Sequence, residues 1–429
     1  MFNFNLKSKP FFPRLSSLIN KIQIKRLKNK RVFLFSGFDY GFPRIKKIVL
    51  SEKNNIILNI LSPGIKSQLK TLLNIFHNNN EIFITTIPNI NESSNYIVKE
   101  ILSKINDPIL TNLLEVIEKI IFNAIVYTNS IEEYIKTVFN EVKIKSYISH
   151  QLRWLDGAVL GEIAMGKNIQ TILISHGSHP SHKDIFSSFE HKENARGLLF
   201  SPFATKTFVQ SPKTISFSND VISNIEKIKS RPLMWGNNYK DESLGNKPRI
   251  ILHAGTFKEL GMRPWIYETS NEYIYGLQLL VESISELKNT HLIIKVRPSI
   301  ECSLMGIKKL IPKTDNCEII SHGNFLNYLA KVRLLVSFSS TTIEEALYAR
   351  KPVGLFGGTN RYRHLEGSST LPSIKSRSAI YHLNKDNLTN MLDTILDVHK
   401  YPLIDKELNS YIWDKTVPGK SSFLKHIKN

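Results

Sequence analysis

The densest chemistry in this 429-residue sequence lies between Leu334 and Gly358. An apolar run, Leu334–Ser337, leads through Phe338 into four successive hydroxyl side chains, Ser339, Ser340, Thr341 and Thr342, and then to Glu344 and Glu345. Small hydroxyl residues where a helix begins let an anion approach free N–H groups and add donors of their own. A diphosphate suits such a turn. A carboxylate one turn further on, Glu344 or Glu345, can accept hydrogen bonds from ribose hydroxyls. The same residues also fit an ordinary capped helix between two strands. Thr341 with Glu344, and Thr342 with Glu345, have capping-box spacing.

Other strand-to-turn junctions carry polar groups. His253-Ala-Gly255-Thr256 follows one β-branched run, and Lys295-Val-Arg297-Pro298 closes another. In the first half, Ser149-His150-Gln-Leu-Arg153-Trp154-Leu-Asp156 leads into a helical pattern bearing Glu162. Ile172-Leu-Ile-Ser-His176-Gly177-Ser-His179 is a strand running into a His-Gly turn.

The elements that must hold these turns show as an alternation of short β-branched runs with longer helical patterns, which predicts a parallel α/β architecture. Strands are expected at Arg31–Ser36, Ile56–Leu61, Glu81–Ile87, Ser146–Ser149, Thr171–Ser175 and 205–209, with a helical stretch across Asn91–Asn140. Residues 211–247 are poor in strand signal and rich in Pro, Gly and Asn, so they read as a connection. A second series follows, with strands at Ile250–His253, His291–Val296, Cys317–Ile320, Leu334–Ser337 and Pro352–Phe356. Its helices are expected at Asn271–Leu287, Phe325–Lys331, Ile343–Ala349 and Asn387–His399. Two doubly wound domains result, 32–210 and 248–400, preceded by a basic segment 1–31 and followed by a tail 401–429. Ligands of such sheets bind beyond the carboxyl ends of the strands, where the turns above fall.

The stretch from the hydroxyl turn through Glu344-Glu345-Ala-Leu to Lys351-Pro-Val and a Gly-containing strand end resembles the nucleotide-binding segment of GT-B-fold glycosyltransferases. UDP-N-acetylglucosamine 2-epimerases share that fold and a similar Ser…Glu-Glu-Ala run. The likeness extends across Pro248–His399, and the His-Gly turn resembles the acceptor side of bacterial surface-carbohydrate transferases.

This resemblance implies an α/β, GT-B-like fold of two Rossmann-like domains facing each other across a cleft. It implies a nucleotide-sugar donor on the C-terminal domain, with Gly255, Thr256 and Ser339–Thr342 on phosphates, Lys295 and Arg297 supplying charge, and Glu344 or Glu345 on ribose. The N-terminal domain would hold a glycan or lipid-linked acceptor through Arg153, Gly177 and His179. His176, Asp156 or Glu162 would be the base that sugar transfer requires. His176 also fits a plain turn histidine, Asp156 a helix N-cap and Arg153 a surface cation.

The implied activity is a metal-independent glycosyltransferase of surface-polysaccharide (capsule or lipopolysaccharide) biosynthesis, with no cofactor. The epimerases' Gly-Gly pair in the phosphate turn is replaced by Ser340-Thr341, or by the adjacent pair, which weighs against isomerisation. A teichoic-acid-type glycerophosphotransferase would share the C-terminal half, and a non-enzymatic basic binding protein would account for the charge alone. Gly161-Glu-Ile-Ala-Met-Gly166-Lys167-Asn168 approaches a Walker A loop but lacks its Ser/Thr and sits late in a helical pattern. His176, His179, His182 and Asp184 cluster without a second ligand group at metal-binding spacing.

The formal net charge is +20, yet nine of the basic residues fall within 1–31, where there is no acid. Leu15, Leu18, Ile19 and Ile22 recur there at helical spacing, so this segment is expected to be a solvated tail, a helix packed on its own domain, or a helix lying on an anionic membrane surface. No recognition motif supports nucleic acid. Two cysteines, Cys302 and Cys317, rule out a disulfide scaffold. With neither a secretory signal nor a membrane-spanning run, the expectation is a cytoplasmic protein, peripheral on the inner face of the membrane if the basic segment docks.

Overall fold

The computed structural model describes residues 13–36, 42–61, 65–77, 80–87, 92–104, 113–175, 177, 195–218, 225–235, 248–255, 268–297, 303–357 and 363–428. The first half contains α1 (Pro13–Leu27), β1 (Arg31–Ser36), α2 (Pro43–Leu50), β2 (Asn55–Leu61), α3 (Ile65–Ile75), β3 (Glu81–Thr85), α4 (Glu92–Ser103) and α5 (Leu114–Glu141). It continues with β4 (Ile144–Ser149), α6 (Leu155–Gly166), β5 (Gln170–Ile174), β6 (Lys206–Val209), α7 (Pro212–Ser218) and β7 (Glu226–Lys229).

The second half contains β8 (Arg249–Gly255), α8 (Ser270–Ser285), β9 (Thr290–Val296), α9 (Leu304–Leu310), β10 (Cys317–Ile320), α10 (Phe325–Lys331) and β11 (Leu334–Ser337). After these come α11 (Thr342–Tyr348), β12 (Val353–Leu355), β13 (Ile380–His382), α12 (Leu388–Val398), α13 (Asp405–Leu408) and α14 (Lys420–Lys428).

The strands form two all-parallel sheets, seven-stranded in the order β3-β2-β1-β4-β5-β6-β7 and six-stranded in the order β10-β9-β8-β11-β12-β13. Both are covered on two faces, so their strands read as continuous apolar runs rather than alternating ones. In the first sheet, one face packs on α1, α5 and α6 through Ile24, Leu27, Tyr127, Ile131, Ile135 and Leu160. In the second, one face lies under α8 and α12 and the other under α10 and α11.

Two boundaries differ from the sequence expectation, and residues 13–27 take one of the alternatives expected for the basic segment. Residues 211–247 are not simply a connection, because β7 lies within them and pairs with β6 as the seventh strand. Its sequence, Glu-Lys-Ile-Lys, is a charged edge strand with no fully buried position, so it carries no apolar signal. Residues 401–429 are not simply a tail. Helix α14 inserts Phe423 and Ile427 into the first domain's core with Phe33, Phe35 and Phe208, and Arg31 donates to the Ile427 carbonyl at 3.2 Å. Residues 13–27 form a helix packed on their own domain, with Ile19, Ile24 and Leu27 buried.

The halves also meet directly. Tyr348 donates to the Gln210 carbonyl at 3.2 Å, Trp413 Nε1 to the Val209 carbonyl at 2.8 Å, and Ser211 Oγ to the Tyr411 carbonyl at 2.8 Å. These bonds set the carboxyl end of β6 against the second domain.

Candidate active site

Strand β11 carries the hydroxyl turn to the carboxyl edge of the second sheet. There Ser339 is 8% exposed and Glu344 only 1%. The turn folds back on itself: Ser340 Oγ accepts from Thr342 N at 3.3 Å, and Thr342 Oγ1 reaches the Ala254 carbonyl at the end of β8 at 3.5 Å. Thr341 is the N-cap residue, in a helical conformation and without a side-chain cap bond, so the capping boxes expected with Glu344 and Glu345 do not form. Glu344 is engaged elsewhere.

His364 occupies the space between the turn and the helix. Its Nδ1 lies 3.4 Å from Ser339 Oγ, and its Nε2 lies 3.6 Å from Glu344 Oε1. The imidazole is 8% exposed, so the trio forms one buried polar set. The first domain closes on it through Gly177, just past β5, with φ of +70°. A Cβ there would stand 3.0 Å from Glu344 Oε1 and 3.3 Å from Thr341 Cγ2. Thr214 Oγ1 donates to the Gly177 carbonyl at 2.9 Å and fixes the turn. Glycine is required at Gly177 both by the left-handed backbone and by the closeness of the opposite domain.

Glu345 behaves differently. Burial, reinforced by the neighbouring Glu344 carboxylate, raises its carboxyl to about 7, while Arg44 on α2 pulls the other way. A first-domain guanidinium therefore acts on a second-domain carboxyl across the cleft. In the first domain, Phe42 lies against His150 with ring centroids 3.4 Å apart and planes tilted by 36°, bringing the starts of α2 and of the loop after β4 together.

At the end of β8, His253 is buried and held neutral, its imidazole pushed down to about 4 by burial. It lines a small cavity with Gly255, Glu268, Tyr273, Phe338, Ser339 and Gly357. At the end of β9, Lys295 donates to the His322 carbonyl at 2.8 Å, lies 5.5 Å from the Tyr328 ring centre, and has its ammonium pKa lowered by burial. Arg297 follows it, exposed.

The structure thus brings together Gly255, Ser339, Ser340, Thr341, Thr342, Glu344, Glu345 and Gly177 at the facing strand ends. Asp156 lies in the first turn of α6, near the carboxyl end of β4. Glu162 is exposed six residues on, about 9 Å further along the helix axis, so it does not join the set. Arg153 is exposed beside Trp154, with its guanidinium 5.1 Å from the ring centre and its Nε bonded to Gln151 at 3.2 Å. His176, His179 and Thr256 lie outside the described residues, as do His182 and Asp184.

Two residues at the facing edges carry no sequence signal for the site: His364 and Arg44. No spacing ties His364 to Ser339, 25 positions away. His253 directly precedes Ala-Gly255-Thr256, but its burial is a tertiary property.

No family model matches the chain, and no curated protein matches it. Solved structures do. The fold is GT-B-like, two α/β domains with their strand ends opposed. The S. aureus MnaA–UDP co-structure superposes with a TM-score of 0.52 at 13% identity, covering 93% of this chain and 96% of that one. The Neisseria meningitidis UDP-GlcNAc 2-epimerase bound to UDP-GlcNAc gives 0.50 at 13% identity, covering 93% and 100%. No helix of the described residues is long and apolar enough to cross a membrane.

Proposed function

We propose that the chain binds a nucleotide sugar in the cleft and transfers the sugar to an acceptor hydroxyl. The observation that carries this reading is the buried Ser339–His364–Glu344 set, faced by Gly177 of the other domain so closely that a Cβ there would stand 3.0 Å from Glu344 Oε1. Glu344 would take the ribose diol, and Ser339, Ser340 and the Gly255 turn the phosphates. Lys295 and Arg297 would contribute positive charge. In the reaction the acceptor oxygen bonds to the anomeric carbon, the carbon–oxygen bond to the diphosphate breaks, and the acceptor proton passes to a base. His176, adjacent to Gly177, and Asp156 are the bases this reading retains. Ser and Thr donors with nearby cations would stabilise the departing charge, so the reading assigns no metal or cofactor. The acceptor is proposed to be a lipid-linked or growing surface glycan, from the resemblance of the His-Gly turn.

The second reading is a sugar-nucleotide epimerase, favoured by the likeness to the Neisseria enzyme. Ser340-Thr341, in place of the epimerases' glycine pair, favours transfer. Thermal stabilisation by UDP, CMP, GDP and their sugar conjugates tests the site, since a ligand at 100 times its Kd adds about 2.7 kcal/mol. If none raises the melting temperature, the nucleotide-sugar reading falls. With the matching donor identified, solvent deuterium entering the sugar without acceptor would decide for epimerisation.

A further inference from the structure

Helix α1 has two faces of opposite character. Its inner face is fastened to the first domain. Asn20 donates to the Thr85 carbonyl at 2.8 Å and accepts from Thr85 N at 3.2 Å, so an amide side chain pairs with the edge of β3 like a further strand. Gln23 bonds Asn74 at 3.1 Å, and Arg26 bonds the Asn74 and His77 carbonyls at 3.4 and 3.2 Å. The helix is therefore a fixed platform.

Its outer face holds Leu15, Leu18 and Ile22, which are 40%, 56% and 39% exposed, flanked by exposed Arg14, Lys21 and Lys25. Helix α3 continues the pattern with Leu69, Leu73 and Phe76, the last 79% exposed, beside Lys66 and Lys70. The two are contiguous where Arg26, one turn past Ile22, bonds the carbonyl of His77 next to Phe76. Neither 13–27 nor 65–77 contains an aspartate or glutamate.

We propose that this outer face of α1, with the end of α3, docks the protein on an anionic lipid bilayer. Apolar side chains standing out among cations match a surface that offers both headgroup phosphates and an acyl interior, although Glu133 and Glu141 of α5 line a pocket with Lys21 and Glu81 lies near Lys70. A nucleic-acid backbone would use the cations and leave the leucines and Phe76 in water. Docking here would hold the first domain, the proposed acceptor side, against the layer that carries lipid-linked glycans. These helix faces lie apart from the cleft and are tested without nucleotide, so a failure here leaves the reading of the cleft untouched.

The test is cosedimentation of the full chain with vesicles of phosphatidylglycerol and phosphatidylcholine, against phosphatidylcholine alone, at low and high salt. Binding is expected only to the anionic vesicles, and to weaken with salt. Leu18→Ser with Phe76→Ser should weaken partitioning by about tenfold or more, and so should Lys21→Glu with Lys25→Glu. Leu113→Ser with Ile120→Ser, an exposed apolar ridge on α5 flanked by Glu115 and Glu118, should leave it unchanged. All substituted positions are exposed, and an unchanged melting temperature verifies the fold. Three results would overturn the proposal: no anionic-vesicle binding, binding that survives both the Leu18/Phe76 and the Lys21/Lys25 pairs, or a dimer in solution that Leu18→Ser with Phe76→Ser converts to monomer.

Discussion

The Nε2 of His364 lies 3.6 Å from Oε1 of Glu344, inside a domain interface where both side chains are almost wholly buried. In the GT-B reading the same carboxylate meets the ribose, so the nucleotide would bind beside the imidazole. Glu344→Gln keeps the shape and removes the charge. A hydrogen bond to a charged group contributes about 1.5–3 kcal/mol, so nucleotide affinity should fall by about ten- to a hundredfold. Isothermal titration measures this. Unchanged affinity would remove Glu344 from the site.

Gly177→Ala tests the closeness of the two domains. A methyl group would be forced to 3.0 Å from the Glu344 carboxylate, on a backbone at φ +70° that alanine disfavours. The expected cost is about 1–2 kcal/mol of stability together with weakened nucleotide binding. Gly166→Ala is the contrast, since a Cβ there meets nothing within 4 Å. Denaturant unfolding of the two variants should separate them clearly.

Glu345 should govern part of the pH dependence. Its folded carboxyl titrates near 7 rather than 4.5, so the native state holds that proton more tightly than the unfolded chain. Between pH 4.5 and 7 the native state binds more protons, and stability from this group falls as pH rises. Glu345→Gln should therefore gain on the order of 2–3 kcal/mol over the parent above pH 7 and little at pH 4. The buried His253 and His399, both lowered to about 4, act with the opposite sign, so the difference between variant and parent isolates Glu345. A constant difference across pH would refute the assignment.

Phe423→Ala removes a fully buried ring from the first domain's core, although the residue lies far beyond that domain in sequence. A loss of about 3–5 kcal/mol is expected. Its readout is the first domain's unfolding midpoint. A midpoint that does not move would mean that α14 is not part of that core.

Much of this architecture was legible because buried parallel strands leave apolar runs that few other structures leave. Arg31–Ser36, Cys317–Ile320 and Leu334–Ser337 were expected with the bounds observed. The misses have physical causes. Glu226–Lys229 is an edge strand whose pairing is all backbone, and Lys420–Lys428 owes its place to a surface built almost four hundred positions earlier. At the site, the hydroxyl turn and glutamates were visible because one short segment holds them. His364 and Arg44 were not, since only folding brings the loop after β12 and the start of α2 to that turn.

The return of α14 to the first domain has a consequence for synthesis. The apolar face of β1 and β6 that receives Phe423 has no cover from that helix until residue 428 has been made, after the whole second domain. At 5–20 residues per second, the interval from the end of β7 is roughly 10–40 s, a window in which a nascent chain shows a sticky flank to its neighbours and to chaperones.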